Sequence, residues 1–151
     1  MRTLFVAAVA VVSAGASGCL EPAAPLLEFR DTKPPMFVEV DPAADSVLST
    51  TPEIRVTFSE PMDERTVRPG ILLLQDNTGV PVVVTVPEDN RIPDAVEQVE
   101  IPWTVLIVPE APLPAGASFR LVLDSVLTDT EGNPLAGPDG GTVPIAIPYR
   151  T

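Results

Sequence analysis

Proline most constrains what this chain can fold into, because it divides the sequence into short apolar segments. The 151 residues include 19 prolines, and every apolar segment after Cys19 meets Pro or Gly before it reaches the roughly 10 to 12 residues that favour a helix. The prolines mostly lie between or at the ends of segments rich in β-branched residues, a position in which proline ends a strand. The sequence therefore predicts an all-β fold with no helix beyond a single turn at residues 61–65.

Alternation of apolar and polar residues identifies the strands, because successive side chains of a strand point to opposite faces of its sheet. Ile54, Val56 and Phe58, for example, alternate with polar neighbours and predict a strand with one buried face. The predicted strands cover residues 36–40, 54–58, 71–74, 80–86, 99–108, 119–123 and 143–149. Seven short strands separated by turn residues predict a single β-sandwich.

The N-terminus has the pattern of an export signal. Arg2 precedes an apolar run that ends in small residues before Cys19, the only cysteine of the chain. The run is shorter than the roughly 20 apolar residues that a membrane-spanning helix needs. One interpretation is an ordinary secretory signal cut near Ala16, which would leave Cys19 as a free thiol. Lipidation of Cys19 is the other, and it accounts for a cysteine that has no partner for an internal disulfide.

Residues 16–19, Ala-Ser-Gly-Cys, resemble the bacterial lipobox, in which small residues precede a lipidated cysteine. Ala16 stands where Leu is preferred. The resemblance implies cleavage before Cys19 and a diacylglyceryl thioether plus an amide-linked acyl chain on that residue. Two or more acyl chains anchor a protein stably to a membrane. Leu20, in place of Asp, resembles lipoproteins that are sorted to an outer membrane.

These patterns predict three parts of the chain: a signal peptide over residues 1–18, a lipidated cysteine and flexible Pro-rich tether over residues 19–35, and one domain over residues 36–151. The formal net charge is −12 and the chain has no histidine. An excess of negative charge repels phosphate backbones, so nucleic acid is excluded as a predicted partner.

Four motifs of the predicted domain occur in the order that is typical of one family. They are VDPAAD at residues 40–45, IRVTFSEPMD at 54–63, IVPEAPLPAG at 107–116 and TDTEGNPL at 128–135. Their order is similar to that of the SbsA-type bacterial Ig-like domain, over about residues 37 to 151. Two features depart from the family pattern: Phe119 replaces a frequent Tyr, and residues 87–102 form a longer stretch than usual. The resemblance implies an Ig-like sandwich.

Acidic residues near the C-terminus suggest a calcium site, because hard cations take roughly six to eight oxygen ligands. The candidate ligands, which fall in two neighbouring loops, are Asp124, Asp129, Glu131, Asn133 and Asp139. Their spacing does not match a known calcium motif. Capping of turns and surface charge form the alternative interpretation.

Other candidate sites are weaker. Trp103, the only tryptophan, either stacks on a sugar together with the loop at residues 87–102 or packs in the core. Glu60 and Asp63 either act as acid and base on a glycoside or are solvated turn charges. Without histidine, and with Cys19 lipidated, the chain lacks the usual base for a Ser or Cys nucleophile. The sequence therefore predicts no enzyme.

The predicted function follows from the joining of an anchor, a tether and a rigid domain. We expect a non-enzymatic, lipid-anchored protein of the cell envelope, on the outer membrane, whose Ig-like domain acts as a structural or protein-interaction module. Its expected partners are the membrane, through Cys19, and an envelope protein or polysaccharide. The alternative is a calcium- or glycan-binding adhesion module.

Overall fold

Eight strands and one short helix make up the part of the chain that the computed structural model describes, residues 31–88, 103–137, 141 and 143–151. In chain order they are β1 (Phe37–Asp41), β2 (Ile54–Phe58), α1 (Glu64–Gly70), β3 (Ile71–Gln75), β4 (Thr78–Val80), β5 (Val82–Thr85), β6 (Trp103–Pro109), β7 (Ser118–Leu123) and β8 (Ile145–Arg150). The predicted signal peptide, Cys19 and most of the predicted tether lie outside the described residues. So does Asp139.

The strands form two four-stranded antiparallel sheets, one in the order β1-β2-β6-β5 and the other in the order β4-β3-β7-β8. The prediction of an all-β two-layer sandwich is thereby confirmed. Some neighbours within a sheet are far apart in sequence, as for β2 and β6, where Ile54 pairs with Ile107, whereas β3 and β4 form a hairpin. Such long-range pairing is typical of sandwich folds.

Alternating side chains from the two sheets fill the space between them. In β2, Ile54, Val56 and Phe58 are fully buried, while Arg55 points to solvent. In β7, Phe119, Leu121 and Leu123 are buried in the same alternating way. Complete burial of one such side chain stabilises the fold by about 1.5–3 kcal/mol, as an upper estimate. The alternation that predicted these strands therefore also gives the face that each strand buries.

Pro81 divides what the sequence predicts as one strand, residues 80–86, into two strands of different sheets. Before it, Val80 of β4 pairs with Leu73 of β3; after it, Val82 of β5 pairs with Pro109 of β6. The described part of the sandwich therefore has eight strands, one more than the approximately seven that the sequence predicts. Proline lacks a backbone N–H and so interrupts a ladder, and the chain changes sheets there.

A seven-residue helix, α1, occupies Glu64–Gly70, and the prediction of a single turn at residues 61–65 was wrong in position and length. Asp63 caps its first turn, since Asp63 Oδ1 accepts the backbone amide of Arg65 at 3.0 Å. Val67 is buried against the core, and this tertiary contact stabilises a helix that contains Pro69. Within the described residues, no helix combines the length and apolar character that crossing a membrane requires.

Several strand boundaries also differ from those predicted, most by a single residue. The strand predicted at residues 99–108 begins at Trp103 in the described part of the chain, because residues 99–102 lie outside it. The last strand begins at Ile145 instead of residue 143 and extends to Arg150. Within it, Ile147 and Tyr149 are buried, as their alternation predicts.

Candidate functional site

Two of the four sequence motifs meet at one end of the sandwich and form a unit that we call the motif junction, residues 59–66 and 127–135. An antiparallel bridge joins Met62 to Asp129, and the amide of Asp63 donates to the carbonyl oxygen of Thr128 at 2.9 Å. The hydroxyl of Thr66 accepts the amide of Thr128 at 3.2 Å. These contacts hold the strand-to-helix connection against the loop that precedes the last strand.

Asp129, a predicted calcium ligand, organises its own loop. Its side chain is fully buried, and Oδ1 accepts the backbone amides of Glu131 at 2.9 Å and Asn133 at 2.7 Å. Its other oxygen, Oδ2, accepts Nδ2 of Asn133 at 2.7 Å. Gly132 takes a φ of 87°, a left-handed conformation that glycine adopts without strain. The carboxylate of Asp129 thus accepts the N–H groups of Glu131 and Asn133 that this turn would otherwise leave to water.

Two of the other predicted calcium ligands, Asp124 and Glu131, accept local hydrogen bonds. Asp124 Oδ1 accepts the amide of Val126 at 3.2 Å, and Glu131 Oε2 accepts the hydroxyl of Thr130 at 2.6 Å. The structure therefore brings Asp129, Glu131 and Asn133 into one loop and leaves Asp124 in a separate turn. Among the residues that the structure describes, no group of three or more acidic, His or Cys side chains is arranged to hold a metal ion.

Glu60 carries a perturbed carboxyl group in the motif junction. Partial burial raises the pKa of Glu60, and the nearby negative charges of Asp31 and Asp129 raise it further. Asp31 reaches this position because its carbonyl oxygen accepts Nδ2 of Asn133 at 3.1 Å, across 102 positions of sequence. Sequence reasoning missed this group of carboxyls, since no local pattern places residue 31 beside the loop at residue 133.

Glu60 and Asp63, predicted as a possible acid and base, have different roles in the structure. Asp63 caps α1 and also forms an ion pair with Arg65, whose Nη2 lies 2.7 Å from Oδ2. The hydrogen bonds from Arg65 lower the pKa of Asp63, in the direction opposite to that of Glu60. The capping of a helix and an exposed ion pair account for Asp63 without any reaction.

Trp103 lies in the core. The residue is only 5% exposed, and its ring centroid lies 6.2 Å from that of Phe58, at an angle of 48° between the ring planes. The two residues are opposite each other in the β2–β6 register. Tilted aromatic pairs of this kind stabilise a core. The loop predicted to act with Trp103 lies almost entirely outside the described residues.

Two depressions of about 360 Å³ and 440 Å³ lie beside the turn that joins β3 to β4. Asp76 and Asn77 form this turn with positive φ angles, and the guanidinium of Arg120 donates to Asn77 Oδ1. Asp76 is the one acidic residue of the described lining, so neither depression combines an acid, a base and a nucleophile from the described residues.

Two packed antiparallel sheets with the strand orders β1-β2-β6-β5 and β4-β3-β7-β8 define a β-sandwich module of the immunoglobulin type. The sequence profile of the family described as the bacterial Ig-like domain matches residues 31–143, which is more than half of the chain. The chain belongs to the bacterial Ig-like domain family. No curated protein matches the chain in sequence.

Solved structures also resemble this chain. Two crystal structures of the S-layer protein SbsC match with 18% and 20% identity and TM-scores of 0.48 and 0.47, over 78% and 77% of this chain. The chain spans 13% and 23% of the two crystallised SbsC chains. PcoC, a methionine-rich copper resistance protein from Escherichia coli, matches with 19% identity and a TM-score of 0.50, over 76% of this chain and 95% of PcoC. At such identities the similarity to PcoC shows a shared fold alone, and the weaker similarity to SbsC carries no functional inference.

Proposed function

We propose that this chain is a non-enzymatic lipoprotein of the cell envelope, anchored through Cys19 to the outer membrane, whose Ig-like domain is a structural or protein-interaction module. The observation that carries the proposal is the sequence Ala-Ser-Gly-Cys at residues 16–19, which ends an apolar export signal with the only cysteine of the chain. Acyl chains on Cys19 would hold the domain at the membrane surface.

The described part of the domain supports a scaffold role. The acidic residues most suited to chemistry, Asp63 and Asp129, hydrogen-bond to N–H groups of the helix or turn in which they lie. No buried side-chain nitrogen or oxygen lacks a partner within the described residues, which is typical of a rigid, fully satisfied core. The calcium and glycan alternative receives no support from these residues, because Asp129 is occupied and Trp103 is buried.

Metabolic labelling with palmitate tests the anchor. Expressed in a bacterial host, the full chain is expected to take up label and to fractionate with membranes, and Cys19→Ala is expected to abolish both. Ser17→Ala is the matched control, since it keeps a small residue at its position and should leave labelling unchanged. An unlabelled wild-type chain that is released into the soluble fraction would contradict the proposal.

Calorimetric titration with calcium distinguishes the proposed structural or interaction module from the calcium-binding alternative. The proposal expects no heat of binding, because the loop carboxylate of Asp129 already accepts hydrogen bonds from Glu131 and Asn133. Measurable binding that is lost in Asp129→Asn, with the fold retained, would favour the calcium-binding alternative instead.

A further inference from the structure

The last residues of the predicted tether lie against the motif junction. Met36 exchanges two hydrogen bonds with Ser59: its amide donates to Oγ of Ser59 at 2.9 Å, and the amide of Ser59 donates to the carbonyl oxygen of Met36 at 3.0 Å. The amide of Ala136 donates to the carbonyl oxygen of Pro35 at 2.8 Å, and Pro35 is buried. Residues 35 and 36 are therefore fixed to the domain.

Residues 31–34, which we call the latch, are held by exposed contacts. All four residues are exposed, and Nδ2 of Asn133 donates to the carbonyl oxygen of Asp31 at 3.1 Å. Within the latch, the amide of Lys33 donates to Oδ1 of Asp31 at 2.9 Å and closes a local turn. Segments whose hydrogen bonds are exposed open at a lower free energy than the core. The latch can therefore open while Pro35 stays buried.

The latch contributes to the charge around the half-buried Glu60. The charged groups that act on this carboxyl are Asp31 and Lys33 of the latch and Asp129 and Glu131 of the opposite loop. Burial raises the pKa of Glu60 most, and the negative charges of Asp31, Asp129 and Glu131 raise it further, whereas Lys33 lowers it. Within the latch, the effect of Asp31 is larger than the opposing effect of Lys33. A docked latch therefore disfavours the ionised form of Glu60.

We propose that residues 31–34 are a proton-controlled latch, which is docked on the motif junction while the Glu60 carboxyl is protonated and is released when this carboxyl ionises. If docking opposes ionisation, then ionisation opposes docking to the same extent, because the two equilibria are linked. Docking is expected to be strongest at acidic pH, near or below the ordinary value of 4.5, and to weaken as the pH rises through the raised pKa of Glu60.

Release of the latch lengthens the connection between the domain and Cys19. Four extended residues add about 12 Å, at about 3.1 Å per residue. On a membrane-anchored chain, acidity would thus hold the domain closer to the bilayer and neutral pH would let it extend. This change in reach rests on the proposed anchor, whereas the latch itself does not, so palmitate labelling and latch release can fail separately.

Backbone amide relaxation, measured by NMR on the full chain in detergent micelles, tests the latch. The amides of Thr32 and Lys33 report whether it is docked. In the wild type, their order parameters are expected to be those of rigid backbone, about 0.85, at about pH 5 and to fall towards about 0.6 or below at about pH 7.5. Glu60→Gln removes the ionising group and is expected to keep both amides ordered at both pH values.

Two further variants separate the charges. Asp31→Asn keeps the carbonyl oxygen that accepts Asn133 but removes the repelling charge, so it is expected to reduce the pH dependence. Glu53→Gln is the matched control, because this exposed carboxylate pairs with Arg55 beside β2, and it is expected to behave as the wild type. Thermal unfolding checks that every variant folds. Order parameters that do not change with pH in the wild type would overturn the proposal, as would a pH dependence that Glu60→Gln leaves intact.

Discussion

Asp129 and Asn133 are joined by three hydrogen bonds: the amide of Asn133 to Oδ1 at 2.7 Å, Nδ2 of Asn133 to Oδ2 at 2.7 Å, and the amide of Asp129 to the carbonyl oxygen of Asn133 at 3.0 Å. The first two use a fully buried carboxylate. One residue pair therefore closes the loop that packs against the strand-to-helix connection.

Replacing Asp129 with Asn is expected to destabilise the domain by about 2–3 kcal/mol. Both carboxylate oxygens of Asp129 accept hydrogen bonds, and the side-chain NH2 group of Asn cannot accept one, so a buried N–H donor of the loop loses its acceptor. Urea unfolding measures the change. The control Asp124→Asn, at a carboxylate that accepts the amide of Val126 in an exposed turn, is expected to cost less than about 1 kcal/mol. Equal effects of the two changes would show that the burial of Asp129 is unimportant.

Adding a side chain at Gly70 is expected to destabilise the domain. A Cβ atom at this position would lie 2.5 Å from Cγ of the buried Leu127, so Gly70→Ala forces the core or the end of α1 to shift. We expect a loss of about 1–3 kcal/mol. Gly79→Ala is the matched control, because nothing lies within 4 Å of the added atom and its expected effect is within about 0.5 kcal/mol. Denaturant midpoints compare the two, and a neutral Gly70→Ala would contradict the packing at Leu127.

The raised pKa of Tyr149 predicts that the domain loses stability at alkaline pH. Burial, with a smaller effect of the negative charge of Asp41, raises the pKa of Tyr149 from 10.0 to about 12. The folded state holds the proton more tightly than the unfolded state, so this stabilisation is complete below about pH 10 and is lost as the pH rises towards about 12. Phenolate absorbance measures the titration directly, since Tyr149 is the only tyrosine.

The hydroxyl of Tyr149 also donates to the carbonyl oxygen of Pro42 at 2.6 Å. Tyr149→Phe is therefore expected to cost about 1–2 kcal/mol at neutral pH and to remove the alkaline component of the stability profile. A phenolate that forms near pH 10 in the folded wild type would contradict the burial of this side chain.

The raised pKa of Glu60 predicts that the stability of the domain depends on pH in the acidic range. Because its pKa is raised in the folded state, the folded state binds the proton more tightly, and the stability contributed by Glu60 falls as the pH rises through the window above 4.5. Glu60→Gln is expected to stabilise the domain at neutral pH by up to about 1 kcal/mol, and the gain is expected to disappear as the pH falls below this window. Thermal unfolding of both proteins across that range measures the difference. A gain that is independent of pH would argue against the charges of Asp31 and Asp129 as its cause.

Trp103 is expected to report folding and not ligand binding. Its burial against Phe58 predicts emission at short wavelength and little quenching by acrylamide in the folded protein, with both changing on unfolding. Because it is the only tryptophan, the signal needs no correction for other residues. Strong quenching in the folded state, or a spectral shift on addition of soluble glycans, would place the ring at the surface instead.

Most of the strands could be predicted from sequence, because the alternation of side chains along a strand is a local property. The buried faces of β2 and β7 follow directly from residues such as Phe58 and Leu121. The helix α1 could not be predicted in this way, since Pro69 argues against it locally and burial of Val67 stabilises it. The change of sheet at Pro81 could not be predicted either, because apolar residues lie on both sides of this proline.

The sequence by itself determined the sheet-forming segments and the order of four motifs that is typical of one family, and it predicts an export signal through the lipobox resemblance of residues 16–19. Only the tertiary structure decided what the acidic residues do. Asp129 caps a loop and Glu60 has a raised pKa because of which segments the fold brings beside them, including Asp31. The physical reason is that alternation and motif spacing act between near neighbours in the chain, whereas hydrogen-bond partners, burial and the charge around a carboxyl depend on residues that meet only in the folded sandwich.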